Sequence, residues 1–297
     1  LRLREQESIH PTAFQHGLFL HRIFERVVMD QSELDFDQKV DKAILRTRDE
    51  AEFAMFYNQD ADARYTEEVL DRIARSSATI LRDNDLVEID GQEKSFRQDK
   101  ALVFDLQNGK SVHVNGTIDR LDTLQINQAV GVVDYKSSDQ SFSVGDFYNG
   151  LKPQLVTYLA ALQELDETKN KPVFGAMYLH LQDPIIKLKD TKNLEQLEVA
   201  ANTSLVYKGL FLKEESLGLN HFYQTRNQLY TEDEFVVLLN HNQKLYKQAA
   251  MDILDGRFAI NPYTKDGRSV AGEQLKAITG LRPMRSERRP SGNPNTV

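Results

Sequence analysis

Two neighbouring apolar segments with charged residues near their ends constrain the fold of this chain more than any other feature. Residues 116–138 read GTIDRLDTLQINQAVGVVDYKSS, and residues 130–133 form an apolar run typical of a buried strand. Asp134 and Lys136 come directly after that run. Because an unpaired charge at the end of a buried strand is costly, the chain must fold so that both groups find partners.

The alternation of side chains along paired strands predicts these partners. Asp134 and Lys136 project from the same side of their strand, because successive side chains point to opposite faces. A turn centred on Asn127 and Gln128 places Asp119 opposite Lys136 and diagonal to Asp134. Loops of even length around this centre preserve the shared face, whereas loops of odd length do not. The three charged groups are therefore expected to converge.

Converging carboxylates indicate a divalent metal ion. Two carboxylates at this spacing repel each other unless a cation lies between them. Mg²⁺, which takes oxygen ligands at about 2.0–2.1 Å, suits such a pair, and Mn²⁺ is an alternative. A lysine ammonium beside the ion can orient a water molecule or offset charge that develops on a phosphate. The competing interpretation is a surface salt bridge between Asp134 and Lys136, the ordinary role of an isolated D-x-K sequence.

Helix and strand patterns place the paired strands in a mixed α/β fold. Asn108 and Gly109, between alternating apolar runs, predict a hairpin with a type I′ turn. Thr231 and Glu234 predict a capping box at the start of a long helix. We therefore expect an α/β fold of the α+β kind, with a mixed sheet flanked by helices and a helical N-terminal region. The predicted helices cover residues 12–30, 36–57, 62–82, 151–167 and 231–256, and a further strand covers 172–181.

The predicted organisation has three parts. Residues 1–90 form a helical N-terminal part, and residues 91–280 form the core with its C-terminal helices. Residues 281–297 are rich in arginine, proline and small polar residues, which predicts a disordered tail. The chain begins with leucine, so we expect it to be a fragment of a longer protein.

Composition excludes several classes of protein. The chain has no cysteine, which rules out disulfides, thiolate catalysis and a cysteine-held iron–sulfur cluster. The absence of cysteine fits a cytoplasmic location. No window approaches the roughly 20 apolar residues that cross a bilayer, so we expect no membrane partner. The net charge of −8 argues against a surface that coats nucleic acid indiscriminately. The sequence NGKS at 108–111 lacks the earlier glycine of a phosphate-binding loop, so no ATP site is predicted here.

Four short motifs in a fixed order resemble the PD-(D/E)XK nucleases of the RecB type. That family has a helical histidine, an aspartate in G-x-x-D-R, a D-x-K strand and a Q-x-x-x-Y helix. The similarity extends from about residue 12 to about residue 280. Each motif is weak alone, but the order and context of the four are specific. The corresponding stretches are GLFLH ending at His21, GTIDR with Asp119, DYK with Asp134 and Lys136, and QLVTY with Gln154 and Tyr158.

The resemblance implies a PD-(D/E)XK restriction-endonuclease-like core and a metal-dependent deoxyribonuclease, an exonuclease that hydrolyses phosphodiester bonds. The alternative for His21 is a purely structural role. The alternative for Gln154 and Tyr158 is a polar helix edge beside a leucine core. The implied metal ligands are His21, Asp119, Asp134 and the backbone carbonyl of Tyr135, with catalytic assistance from Lys136 and DNA positioning by Gln154 and Tyr158.

Four charged residues near these motifs have open or structural interpretations. Glu93 either belongs to the site or lies in an exposed turn, DGQEK. Glu25, one helical turn after the motif histidine, either hydrogen-bonds that histidine or is exposed. Asp122 is predicted to be a solvated strand residue. Arg120 is predicted to be structural and to lie on the face opposite Asp119.

A more specific resemblance comes from longer stretches of the chain. SIHPTAFQHGLFLHRIFERV and INPYTKDGRSVAGEQLKAITG resemble the nuclease domain of AddB-type subunits, in their RexB branch, of ATP-dependent helicase–nucleases. This implies a heterodimer with a helicase subunit of the RexA or AddA type, which delivers a DNA single strand during recombinational repair of double-strand breaks. Many AddB proteins hold an iron–sulfur cluster through four cysteines, and this chain has none. The alternatives are a catalytically inert DNA-binding or scaffolding module of the same fold and a stand-alone RecB-family exonuclease.

Overall fold

The computed structural model describes residues 11–57, 59–106, 109–138, 140–181, 205–257, 264–265 and 268–269. Helices dominate the N-terminal third of the described chain. The capping box predicted from Thr231 and Glu234 is present at the last long helix. None of the described helices combines the length and apolar character needed to span a membrane. The helices are α1 (Ala13–Met29), α2 (Phe36–Arg48), α3 (Ala51–Tyr57), α4 (Ala61–Asp83), α5 (Val144–Tyr148), α6 (Gln154–Leu162) and α7 (Glu232–Leu254).

A six-stranded mixed sheet forms the centre of the described structure. Its strand order is β1-β4-β5-β6-β7-β8. The pairs β5–β6 and β7–β8 are parallel, and the other pairs are antiparallel. Two short ladders, β2–β3 and β9–β10, lie outside this sheet. The strands are β1 (Val87–Phe96), β2 (Leu102–Asp105), β3 (Ser111–Val114), β4 (Gly116–Leu124), β5 (Val130–Lys136), β6 (Val173–His180), β7 (Tyr207–Leu212), β8 (Leu229–Tyr230), β9 (Thr264–Lys265) and β10 (Arg268–Ser269).

Helices cover both faces of the sheet. On one face α1, α2 and α4 share a core with β5 to β7 that includes Phe24, Val133 and Phe211. On the other face α6 and α7 pack over Ile118 and Val132. The predicted α/β fold, a mixed sheet flanked by helices, is therefore confirmed. β1 crosses the expected boundary at residue 90, and the predicted tail at 281–297 lies outside the described residues.

One predicted helix is in fact two helices. The pattern over residues 36–57 predicts a single helix, but the structure divides it into α2 and α3. The carbonyl of Glu50 accepts hydrogen bonds from the N–H groups of Phe53 and Ala54, so a new helix starts there. The break directs Phe53 into the core, where its ring centroid lies 5.2 Å from that of Phe19 on α1. The single-helix prediction is therefore wrong, since the first helix ends at Arg48 and the second begins at Ala51.

The turn between β4 and β5 is not centred where the sequence predicts. The N–H of Leu124 donates to the carbonyl of Ala129 over 2.8 Å, so the loop consists of residues 125–128. Gln128 has a φ of +60° and ends this loop, and the side chain of Asn127 accepts a hydrogen bond from the N–H of Ala129 (3.1 Å). The prediction that Asn127 and Gln128 form the centre is wrong because they form the closing half of a four-residue loop.

This turn gives β4 and β5 a register that differs by two residues from the predicted one. Arg120 pairs with Val133, and continuing the ladder sets Asp119 opposite Asp134. The expected partner, Lys136, becomes the diagonal neighbour instead. A shift of two residues moves the pairing without exchanging the faces. The three charged groups therefore remain on one side of the sheet.

The β2–β3 hairpin has a different turn from the predicted one. Asp105 pairs with Ser111, and the N–H of Leu106 donates to the carbonyl of Lys110 over 2.7 Å. An odd number of residues therefore separates the paired positions, and Gly109 adopts the left-handed φ of +72°. The hairpin is confirmed but the two-residue type I′ turn is wrong, because that turn requires an even register. Asn108 lies outside the described residues.

Candidate functional site

The carboxyl end of β5 brings together side chains from α1, β4 and β5. His21 of α1 places its Nε2 atom 3.0 Å from the carbonyl oxygen of Tyr135 and its Nδ1 atom 3.6 Å from Asp119 Oδ2. The N–H of Tyr135 donates to the same Asp119 oxygen over 2.8 Å. Asp134 and Lys136 flank Tyr135 and project to the face that carries Asp119. Residues that are far apart in the sequence thus meet at the carboxyl end of the central strand β5.

The first turns of α6 hold the carboxylate of Asp134. Gln154 Nε2 donates to Asp134 Oδ1 over 2.7 Å, and the Tyr158 hydroxyl donates to the same oxygen over 3.3 Å. Lys136 Nζ lies 2.5 Å from Asp134 Oδ2 as an ion pair. Oδ2 has no aligned hydrogen-bond partner in the described part of the chain, although Asp134 is only 1% exposed. One carboxylate oxygen, Oδ1, is fixed by α6, and the other, Oδ2, faces the ammonium of Lys136.

Glu93 lies beside His21 and Asp119. One ligand atom from each of the three residues can be chosen so that all lie within 4.8 Å of one another. The DGQEK segment is part of β1, so its interpretation as a turn is wrong, although the Glu93 side chain is exposed. The signal for a strand was weak because Gly91 and three charged residues interrupt the pattern of β-forming residues.

The donor atoms at this edge fit a divalent cation. The cluster of His21, Glu93 and Asp119 offers carboxylate oxygens, which Mg²⁺ and Mn²⁺ prefer, and an imidazole nitrogen, which is a common ligand of transition-metal ions. Asp134 adds a buried oxygen that lacks a hydrogen-bond partner among the described residues. The carbonyl of Tyr135 points to the same edge, since His21 Nε2 contacts it. The residues present therefore fit a divalent cation.

Burial raises the pKa of both aspartates. Desolvation brings the pKa of Asp119 to about 6; the N–H of Tyr135 and Lys136 oppose this effect, and Glu93 adds to it. Desolvation and repulsion from Asp119 bring the pKa of Asp134 to about 6, against the attraction of Lys136. Burial lowers the pKa of His21, so the neutral imidazole that binds metals is favoured. Two carboxylates that resist ionisation in this way are suited to bind a cation.

The raised pKa of Asp119 predicts how stability depends on pH in metal-free buffer. The folded state holds this proton more tightly than the unfolded chain, so the stabilising contribution is complete below pH 3.8 and is lost as the pH rises to about 6. In EDTA, an Asp119→Asn variant should therefore gain stability relative to the wild type as the pH rises from about 4 to 7. Melting curves of both proteins across this range measure the difference.

An exposed aspartate provides the matched control for this prediction. Asp99 is exposed in a short 3₁₀ turn, so Asp99→Asn controls for the loss of a surface carboxylate. A stability difference between Asp119→Asn and the wild type that does not change across this pH range would show that the Asp119 carboxyl ionises as freely in the folded as in the unfolded chain.

A buried ion pair lies behind the site, on the opposite face of the sheet. Arg120 Nε and Nη2 donate to the two carboxylate oxygens of Asp122 over 2.7 and 2.6 Å, and both residues are 0% exposed. Arg120 also donates to the hydroxyls of Tyr207 (2.7 Å) and Tyr135 (3.3 Å). Arg120 is structural and faces away from Asp119, as expected. The prediction that Asp122 is solvated is wrong, because the neighbouring guanidinium compensates its burial.

Two further residues complete the surroundings of the site. Glu25 accepts a hydrogen bond from Arg22 Nη1 over 2.6 Å, so its partner is this arginine and not His21. The ring of Tyr178 on β6 lies 5.7 Å from Lys136 Nζ, and Tyr178 is the Cα partner of Asp134. The sequence did not point to Tyr178, because a tyrosine inside an apolar strand reads as a core residue. Only the parallel register of β5 and β6 reveals it.

The comparison with protein families identifies the class of protein. The PD-(D/E)XK nuclease superfamily matches residues 1–269, which is most of the chain. The chain belongs to this superfamily, as the order of its motifs predicts.

Relatives with curated names give a more particular comparison. A Streptococcus suis protein, named as the B-type subunit of an ATP-dependent helicase/deoxyribonuclease, is 98% identical over 281 residues, which is 95% of this chain and 26% of that protein. Proteins of the same name from Streptococcus agalactiae and Streptococcus pyogenes are 44% and 46% identical over 95% and 94% of this chain, and 25% of each relative is covered. The chain spans about a quarter of the length of these relatives.

Proposed function

We propose that this chain is the nuclease domain of an ATP-dependent helicase–nuclease and that it hydrolyses phosphodiester bonds of DNA with Mg²⁺. The observation that carries the proposal is the meeting of His21, Asp119, Asp134 and Lys136 at one sheet edge. Carboxylates with perturbed pKa values beside a specific charged partner are typical of functional sites. Membership of the nuclease superfamily supports the chemistry, and the names of the relatives support the helicase–nuclease context.

The metal ligands in this proposal are His21, Asp119, Asp134 and the carbonyl of Tyr135. A bound divalent ion supplies Lewis-acid polarisation of a phosphate oxygen and a lower pKa for coordinated water. The chain itself fixes the ligands before the ion arrives: the N–H of Tyr135 orients Asp119, and the carbonyl of Tyr135 orients His21. Such preorganisation avoids reorganisation during the reaction.

Lys136, Gln154 and Tyr158 act on the reacting groups and on Asp134. The ammonium of Lys136 lies against Asp134 and can offset negative charge on a phosphate or orient the attacking water. Gln154 and Tyr158 engage Asp134 Oδ1 and leave Oδ2 facing the ammonium of Lys136. We also assign to them contacts with the DNA strand, since Gln154 stands in the first turn of α6 at the site.

The partners in this proposal are a single DNA strand and a helicase subunit of the AddA or RexA type. The NGKS segment at 108–111 is not a phosphate-binding loop, and the resemblance to AddB-type subunits assigns ATP hydrolysis to the helicase subunit. The role would be to process double-strand breaks for recombinational repair in the cytoplasm. The names of the relatives support the helicase–nuclease pairing, because they join both activities in one complex.

Removal of the metal ion tests the proposed function. The protein is expected to cleave a labelled single-stranded DNA oligonucleotide in Mg²⁺, to stop in EDTA, and to resume when Mg²⁺ or Mn²⁺ is added in excess. The physical reason is that the buried carboxylates repel each other and the phosphate until a divalent cation neutralises them. Gel electrophoresis of the products measures the cleavage.

The same assay distinguishes the inert alternative. A gel-shift measurement on the same oligonucleotide reports DNA binding separately from cleavage. Binding without cleavage in both Mg²⁺ and Mn²⁺ would favour the DNA-binding or scaffolding module. Cleavage that persists in EDTA would contradict the assigned metal site.

A further inference from the structure

We propose that the cleft between α1 and α2 binds a backbone phosphate of the DNA strand, beside the phosphate that is cut. This inference rests on the proposed function and extends it, because it adds a contact to the substrate from residues outside the four motifs. The volume of the cleft is about 420 Å³. A water molecule occupies about 30 Å³ in the liquid, so a phosphate group and several water molecules can enter the cleft.

The charged side chains that line this cleft are mostly basic. Four of them are cations and two are carboxylates, although the net charge of the whole chain is −8. A concave surface in which one sign of charge prevails attracts ligands of the opposite sign. The charged lining residues are Arg22, Glu25, Arg26, Asp30, Lys42 and Arg46.

Polar contacts between the two walls hold the cleft in shape. At one end Lys42 Nζ lies 2.6 Å from Asp30 Oδ2. At the other end Arg26 donates to the carboxylate of Glu50 and, over 3.3 Å, to the hydroxyl of Thr47. A guanidinium has more N–H donors than these two contacts use, so Arg26 keeps donors for a ligand. The cleft is thus in place before DNA arrives, which lowers the cost of binding.

Arg46 is the lining cation that has no acidic partner within the described part of the chain. Arg22 Nη1 lies 2.6 Å from Glu25 Oε2, and the contacts above pair the other two lining cations. The side chain of Arg46 is exposed and makes no hydrogen bond or ion pair with any described residue. The planar fork of donors in arginine matches the geometry of a phosphate. Arg46 is therefore the group with which an incoming phosphate can pair.

The cleft lies beside the proposed metal ligands. Arg22 follows His21 directly on α1. Arg22 and Glu25 also interact electrostatically with Glu93. A carboxylate oxygen of Glu93 lies within 4.8 Å of a donor atom of His21. A DNA strand with one phosphate at the metal site thus brings a neighbouring phosphate towards the cleft, and this position distinguishes Arg46 from an ordinary solvated arginine.

Binding of a fluorescently labelled single-stranded oligonucleotide in EDTA tests the contact without cleavage. An Arg46→Ala variant should bind about fivefold more weakly than the wild type at about 50 mM salt, because it loses one charged contact. The slope of log K against log salt concentration should become shallower by about 0.7, the value for one phosphate contact on a single strand. Arg46→Lys should keep the wild-type slope, since it conserves the charge. Fluorescence anisotropy measures both quantities.

An arginine on α4 provides the matched control. Arg64 is exposed, and α4 forms ion pairs with Asp41 and Arg48 of α2, neither of which lines the cleft. Arg64→Ala should change neither the affinity nor the salt slope. Alanine favours helices, so both alanine variants should fold, and thermal melting checks this.

Oligonucleotides in which one phosphate is replaced by a neutral methylphosphonate show whether Arg46 contacts a phosphate directly. At one position beside the cleavage site, this replacement should raise the KM of the wild type in Mg²⁺. It should leave the KM of Arg46→Ala unchanged, because that variant already lacks the contact. If the two changes add independently at every position, Arg46 acts through general attraction and the proposed phosphate site is overturned.

The outcomes separate this inference from the proposed function. If Arg46→Ala has the affinity and salt slope of the wild type while the chain cleaves DNA, the phosphate site is overturned and the proposed function stands. If binding depends on Arg46 but the wild type cleaves DNA in neither Mg²⁺ nor Mn²⁺, the phosphate site is supported and the proposed hydrolysis is overturned. A wild-type chain that neither binds nor cleaves DNA would overturn both.

Discussion

An Asp134→Asn variant is expected to lose cleavage of single-stranded DNA by at least about 10³-fold in Mg²⁺ and to melt at a higher temperature than the wild type in EDTA. The loss of activity follows because the amide removes one negative charge and replaces Oδ2, the oxygen that faces Lys136, by an N–H donor. The gain in stability follows because burial and repulsion from Asp119 disfavour the wild-type carboxylate. Oligonucleotide cleavage and thermal melting, measured on the same preparation, test both effects.

Asparagine is the informative substitution because it conserves the contacts of α6. Its Oδ1 atom can still accept the hydrogen bonds that Gln154 and Tyr158 make to the aspartate. The exposed Asp99→Asn serves as the matched control and should change neither cleavage nor melting temperature. Cleavage at the wild-type rate by the asparagine variant would remove Asp134 from the site. A lower melting temperature in EDTA would show that the ion pair with Lys136 outweighs desolvation.

The sequence predicts the fold class from local patterns that the structure satisfies directly. The apolar run before Asp134 is typical of a buried central strand, and β5 is that strand. The capping box at Thr231 marks the start of α7 because its hydrogen bonds involve only residues three positions apart. Signals of this kind lie within a few residues of one another, so tertiary contacts change them little.

The errors arise where distant contacts decide the local conformation. Asn127 is a good turn former, but its side-chain amide donates to Glu215, 88 residues away, and the loop ends at Gln128 instead of being centred there. Asp122 reads as a solvated residue until the fold places Arg120 and two tyrosine hydroxyls around the pair. Glu93 reads as part of an exposed turn until β1 pairs with β4. Sequence alone does not give strand order or register, and the surroundings of a charge depend on both.

Replacement of Arg120 by alanine is expected to destabilise the protein by about 3–5 kcal/mol. The substitution leaves the carboxylate of Asp122 buried without its counter-ion and removes the donors to Tyr207 and Tyr135. Both members of the ion pair are fully buried, so water cannot substitute for the guanidinium without opening the core. Chemical denaturation, or the yield of folded protein if the variant is too unstable, measures the effect.

An exposed arginine and a double substitution complete this experiment. Arg97→Ala is the matched control, since Arg97 is exposed and should contribute less than about 1 kcal/mol. Replacing the pair together, Arg120→Met with Asp122→Leu, should recover most of the lost stability, because no buried charge then remains unpaired. A single Arg120→Ala variant as stable as the control would contradict the structural role of the pair.

The double variant also separates stability from positioning of the site. The ring of Tyr135 contacts Arg120, while its backbone N–H and carbonyl engage Asp119 and His21. The ion pair therefore reaches the proposed metal ligands through one residue that spans the sheet. If the folded double variant binds Mn²⁺ weakly, the Arg120–Tyr135 contact sets the position of the ligands in addition to stabilising the core. If its Mn²⁺ affinity equals that of the wild type, the strand register alone holds them, and the buried pair serves the fold.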